Sequence, residues 1–152
     1  GSKRQKILLD FINHAEPERA IIFANRRDRT HRLVEYLKKK QISCEGLAGD
    51  IPQKKRLSTL NKFKSGELKY LIATDVAGRG IHVDGVTHVI NFELPDDAED
   101  YVHRIGRTGR AGSLGTAISF VSEDDAFNLP ALEEYLGGPI QCIQPDLLHD
   151  SD

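Results

Sequence analysis

No apolar run in the 152-residue chain approaches the roughly 18 residues that a membrane span needs. No basic-then-apolar leader opens the sequence either, so the expectation is a cytoplasmic protein without a membrane partner. Cysteine is scarce. Cys44 and Cys142 are the only two, and neither sits in a CxxC or near a histidine cluster. That excludes a disulfide scaffold or zinc module and fits buried, reduced thiols. His14, His31, His88 and His149 lack metal-ligand spacing, so no metal site is expected. Internal repeats, low-complexity tracts and Pro/Ser-rich linkers are absent as well. The most informative deficit is of lysine, which does not occur after residue 70. Residues 1–70 carry a net charge of +9 and residues 71–152 a net charge of −11. The only cations of the second part are Arg79, Arg104, Arg107 and Arg110, all in two glycine-rich stretches. Ion pairing with neighbouring acids is one reading of that placement; a binding purpose is the other.

With 39% hydrophobic and 29% charged residues, the composition is that of a soluble globular domain. A chain this long buries roughly 68–70% of its unfolded surface. Gly1-Ser2 reads as a cloning remnant, 3–145 as the single domain and 146–152 as a flexible tail. Short β-rich runs alternate with amphipathic stretches, which implies an α/β fold with a parallel sheet. Strands are predicted at 20–25, 43–47, 70–74, 87–92, 115–121 and 139–143, with 70–74 central. Helices are predicted at about 3–15, 29–40, from Pro52 to Ser65, at about 98–105, and from Ser122 towards Leu136 with Pro130 kinking or dividing it. Asp50 and Gln53 suit a capping box for the third helix, and Leu57, Leu60 and Phe63 its buried side.

Ligands of open parallel sheets bind beyond the C-terminal strand ends. Here the strand at 20–25 runs into Asn25-Arg26-Arg27, that at 43–47 into Gly49-Asp50, and that at 70–74 into Asp75 and Gly78-Arg79-Gly80. One rim therefore gathers glycines, hydroxyls and guanidiniums, the chemistry of phosphate binding.

The sharpest signal is His103-Arg104-Ile105-Gly106-Arg107-Thr108-Gly109-Arg110. A helix ending near 105 would deliver His103 and Arg104, and a glycine-loosened loop would project Arg107 and Arg110. Two guanidiniums three residues apart can converge on one anion. The competing reading is a salt-bridge knot with Asp96, Asp97, Glu99 and Asp100.

This octapeptide resembles motif VI of the DEAD-box RNA helicases at every position. Residues 73–81 (ATDVAGRGI) resemble motif V, 21–25 (IIFAN) motif IV, and 53–56 (QKKR) the family's QxxR, all in family order. The resemblance implies the second RecA-like domain: a parallel sheet of about six strands flanked by helices on both faces. It implies that Arg107 and Arg110 reach across an interdomain cleft to the γ-phosphate of ATP, with Arg110 the principal finger. His103 and Arg104 would link to the catalytic motifs of the enzyme's own N-terminal RecA-like domain. Gly80 and His82 would lie on the ATP side. Thr74, Gly49, Asp50, Gln53 and Arg56 would meet the RNA backbone, with Asn25 and Arg26 beside that groove and Arg79 holding the closed interface. For Asn25 an Asx turn, for Arg56 a solvated helix face and for Thr74 a plain strand-end hydroxyl remain alternatives.

His82 stands where the family usually has aspartate, Ala48 where histidine is common, and Gly78 where alanine is frequent. His82 together with V-T-H-V, L-P-D-D-x-E-D-Y-V-H-R and N-L-P-A-L-E-E-Y resembles the bacterial degradosome-type members, which implies a role in RNA decay. Neither a Gly-x-x-x-x-Gly-Lys-Ser/Thr loop nor an Asp-Glu-Ala-Asp tetrapeptide occurs in this chain. ATP and Mg2+ would therefore be held mainly by the N-terminal domain, and the domain alone is expected to be inactive. Most aromatics fall at core-periodic positions, so RNA recognition is expected through the backbone without base readout. A second use is also open: the acidic, lysine-free part could dock a basic segment of an RNA-decay scaffold protein.

Overall fold

Four-residue apolar runs between helical stretches leave the chain one economical solution, strands buried on both faces. The computed structural model describes residues 2–75, 86–95, 99–100, 104, 116–120, 129–136 and 142–143. In chain order it forms α1 (Ser2–Ala15), β1 (Ala20–Phe23), α2 (Arg27–Lys39), β2 (Cys44–Leu47), α3 (Gln53–Ser65), β3 (Tyr70–Ala73) and β4 (His88–Asn91). There follow helical positions at Glu99, Asp100 and Arg104, then β5 (Thr116–Phe120), α4 (Leu129–Leu136) and β6 (Cys142–Ile143). The six described strands are all parallel, in the order β2-β3-β1-β4-β5-β6. β3 is thus interior, but β1 and β4 occupy the middle. The register aligns Leu47, Ala73, Phe23 and Asn91 across β2, β3, β1 and β4, so their C-terminal ends form one level rim.

Alternation along the strands divides the core in two. Ile22, Ile72 and Ile90 point to the face where Leu8 and Ile12 of α1 and Leu33 and Leu37 of α2 pack. Ile21, Leu71 and Val89 point to the other, against Phe63 of α3. Helices therefore cover both faces, as a parallel sheet requires. Gly46 lets α2 approach β2: a Cβ there would lie 3.1 Å from Val34 Cγ2. Gly66, at φ 86°, closes α3 in the left-handed conformation.

Two local expectations are corrected. The N-cap of α3 is Pro52, with no side-chain capping bond, because the Asp50 carboxylate accepts from His31 instead. Leu57 faces outward at 52% exposure, and Thr59 joins Phe63 on the buried side. Pro130 falls in the first turn of α4, where its missing N–H and fixed φ cost little. The expected capping at Ser122 and the tail at 146–152 lie outside the described residues.

Cys44 is buried at the start of β2, and burial pushes its thiol up to about 11. In a Cys142→Ser background, native protein should resist a thiol-specific disulfide reagent at neutral pH and react fully once unfolded. Rapid labelling of the native state would contradict this packing.

Candidate functional site

The rim collects, in spatial order, Gly49-Asp50 after β2, Thr74-Asp75 after β3, Asn25-Arg26 after β1 and Glu93 after β4. At its centre lies Arg104, exposed by only 1%. Its Nε donates to Asp75 Oδ1 at 2.5 Å and its Nη2 to Asp75 Oδ2 at 2.7 Å, a two-pronged pair. Nη2 also donates to Asn25 Oδ1 at 2.7 Å, and Nη1 to Asn91 Oδ1 at 3.1 Å and to the Glu93 carbonyl at 2.6 Å. The five N–H bonds of a guanidinium are thereby all used. The Phe23 ring closes the remaining face, 5.1 Å from Arg104 Cζ.

The partners are themselves fixed. Asn25 Nδ2 donates to the Leu94 carbonyl at 2.8 Å, and its backbone N–H to Glu93 Oε1 at 2.8 Å. Arg29 of α2 donates to Glu93 Oε2 at 2.6 Å. Asn91 Nδ2 donates to Ser119 Oγ on β5 at 2.9 Å. From α1, Arg4 donates to the Phe92 carbonyl at 2.6 Å and stacks over the Phe92 ring. No buried side-chain polar atom among the described residues lacks a partner. A network so complete suits a low-dielectric site, where one missing partner costs far more than one extra bond adds.

This geometry corrects two roles. Arg104 cannot extend to another domain while all five donors are held inside this one; it ties the helix that carries it to the ends of β1, β3 and β4. Its carboxylate partner is Asp75. Asn25, too, spends its amide on Arg104 and Leu94 rather than on an Asx turn or an outside ligand.

The residues assigned to the RNA backbone face a more open setting. Thr74 is half-buried at the rim, its N–H donating to the Leu47 carbonyl at 3.3 Å. Around the Cβ position of Gly49 nothing lies within 4 Å. Asp50, Gln53 and Arg26 are exposed, and Arg56 is partly so. Arg26 lies 3.4 Å from Asp28, and His31 Nε2 lies 3.0 Å from Asp50. That bond from His31 holds the Asp50 carboxyl below its ordinary value. Arg79, Gly80, His82, His103, Arg107 and Arg110 lie outside the described residues.

Sequence reasoning placed Asp75 on the rim without a role, and missed Asn91, Glu93, Arg29 and Ser119. A usable signal existed for Asn91, a polar residue inside the apolar run 87–92. Glu93 and Asp75 were visible as acids directly after strands.

Comparison with known proteins supplies the family. The model of the helicase conserved C-terminal domain matches residues 3–112. The chain belongs to that family. Among curated relatives, the domain is 51% identical to the ATP-dependent RNA helicase RhlB of Pseudomonas syringae pv. tomato and 55% identical to that of Pseudomonas aeruginosa. Both matches cover 95% of this chain and 36% of the relative, so the helicase domain spans about a third of their length. Among solved structures, the E. coli DEAD-box protein SrmB bound to regulator of ribonuclease activity A superposes with a TM-score of 0.86 at 36% identity, covering 99% of this chain and 89% of that one. S. cerevisiae Dbp5 bound to RNA and ADP BeF3 superposes with 0.86 at 33% identity, covering 94% and 39%. The domain is thus a C-terminal, RecA-like domain of the DEAD-box RNA helicase type, similar to RhlB.

Arg104→Ala leaves Asp75 and both asparagines without their shared donor. It is expected to lower the unfolding free energy by about 3–5 kcal/mol, measured by urea denaturation. Arg104→Lys should recover little, because one ammonium cannot span the same acceptors. A loss within the roughly 0.5 kcal/mol of a surface substitution would contradict the network.

Proposed function

We propose that this domain is the C-terminal half of the motor of an ATP-dependent RNA helicase, acting in the cytoplasm in RNA decay. Its part is to supply Arg107 and Arg110 to the γ-phosphate of ATP and half of a groove for the RNA backbone. The observation that carries the reading is the Arg104 network. It anchors the chain three residues before Arg107 directly to Asp75, the neighbour of Thr74. RNA contact at the strand ends and guanidinium placement at the nucleotide would thus share one rigid connection. The relatives' names as ATP-dependent RNA helicases and the RNA-bound, nucleotide-bound Dbp5 structure support it.

In this reading the N-terminal domain holds ATP and Mg2+, with Gly80 and His82 bordering the nucleotide from this side. Among the described residues no cluster of His, Cys, Asp or Glu is placed to hold a metal ion. Phosphoryl transfer spreads negative charge over the γ-phosphate oxygens, and preplaced guanidiniums stabilise that charge as it develops. RNA phosphates would be met by backbone N–H groups at Gly49-Asp50, by the Thr74 hydroxyl and by Arg56, without base readout. Closure of the two domains on RNA would strain a short duplex, and hydrolysis would release it. Separated from its partner domain, this chain should not turn over ATP.

A second reading has its own support. The similar SrmB domain is bound to a protein, regulator of ribonuclease activity A, and the net charge of −11 over residues 71–152 suits a basic scaffold segment. Salt-sensitive capture of a basic peptide by the domain alone would favour docking, since docking needs no second domain.

In the full-length helicase, Arg110→Ala should reduce RNA-stimulated ATP turnover by about 10³-fold or more while leaving RNA affinity unchanged. Equal loss of both would contradict the finger assignment. Gly49→Ala tests the groove separately. The open space there accommodates the methyl group, so stability should hold or rise by about 0.4–1 kcal/mol. RNA affinity, measured by fluorescence anisotropy, should fall. Unchanged affinity would remove Gly49 from the RNA contact.

A further inference from the structure

The proposed function uses the arginines of residues 104–110 but leaves one buried polar pair without a task. Asn91 on β4 and Ser119 on β5 are register partners in the parallel ladder, and both are fully buried at 0% exposure. The surrounding positions are apolar: Ile90, Ile118 and Phe120 all belong to the core. Two polar side chains at this depth cost stability unless hydrogen-bonded, and a simpler sheet would carry apolar residues at both places. Their bonds are directional. Ser119 Oγ accepts from Asn91 Nδ2 at 2.9 Å, and Asn91 Oδ1 accepts from Arg104 Nη1 at 3.1 Å.

An amide has one donating and one accepting end, and a half-turn about its terminal bond exchanges them. The guanidinium only donates, so the carbonyl end must face it, and Nδ2 is thereby turned to Ser119, whose hydroxyl accepts. Without that hydroxyl Nδ2 is buried with no partner, and the amide is free to rotate out of line with Arg104. We infer that Ser119 and Asn91 are positioning residues: the hydroxyl orients the amide, the amide seats Arg104, and Arg104 sets where the chain leaves for Arg107 and Arg110. The inference rests on the finger assignment made above. It adds two residues that lie in none of the four helicase motifs and on strands that take no part in those motifs.

Ser119 is well placed for a clean test, because threonine and valine have nearly the same shape and differ by the hydroxyl. In the full-length helicase, Ser119→Thr and Ser119→Val should share any packing cost of the added carbon atoms. Ser119→Thr is expected to retain most RNA-stimulated ATP turnover. Ser119→Val should lose about tenfold in kcat, the consequence of one missing orienting hydrogen bond, with the KM for RNA unchanged. The assay is run at a temperature where circular dichroism shows both variants folded, with Arg110→Ala alongside. Equal turnover of the Thr and Val variants, whether high or low, would overturn the inference, since only packing would then be at stake. A rise in the RNA KM at constant kcat would overturn it too, because the pair would be acting on the groove. Loss of activity in Ser119→Val with Arg110→Ala fully active would overturn the finger assignment itself.

Discussion

A guanidinium removed from water must find an acceptor for every N–H, and that requirement organises the strand-end rim of this domain. Arg104 meets it with Asp75, Asn25, Asn91 and the Glu93 carbonyl, drawn from the ends of three neighbouring strands. The Phe23 ring excludes water from the open face. An isolated buried charge would cost several kcal/mol, and three of the four acceptor residues are held in turn: Asn25 by Leu94, Asn91 by Ser119 and Glu93 by Arg29. The strand ends are locked together because the arginine admits few other arrangements.

That lock makes a loop-bearing edge behave as a rigid part. Loops over a sheet are ordinarily its most mobile segments. Here the residues after β1, β3 and β4 are bound into one polar core, continuous with the apolar core beneath it. Arg4 extends the same fastening to α1 through the Phe92 carbonyl. The more open residues, Thr74, Gly49 and Arg56, then border a fixed frame, which suits recognition of a regular phosphate backbone. Asp75, which adjoins Thr74 in the chain, pairs with Arg104 and so ties the end of β3 into the same frame.

Much of the architecture was legible in the residues. The apolar runs at 20–25, 70–74 and 87–92 read as buried strands and hold β1, β3 and β4, and the amphipathic spacing of Leu33 and Leu37 marked a helix packed on one face. The four motifs pointed to the family, which the helicase C-terminal domain match over residues 3–112 bears out. What stayed hidden depended on partners far apart in sequence. Nothing local says that Arg104 is spent inward while Arg107 and Arg110 are its neighbours in the same motif; that follows from Asp75 and Asn25, 29 and 79 residues away. Asp50 looked like a helix cap because Gln53 followed it, but His31 of α2 competes for the carboxylate. Leu57 fitted the apolar side by spacing, yet Thr59 and Phe63 define a buried side rotated away from it.

The central claim is that Arg104 is enclosed with every donor engaged. Nitrogen-15 NMR of arginine side chains tests it directly, by the rate at which guanidinium protons exchange with water. Arg104 should show resolved Nε and Nη protons that exchange far more slowly than those of exposed Arg26, and its signals should be lost on Asp75→Asn. Arg104 protons exchanging as fast as those of Arg26 would contradict the account.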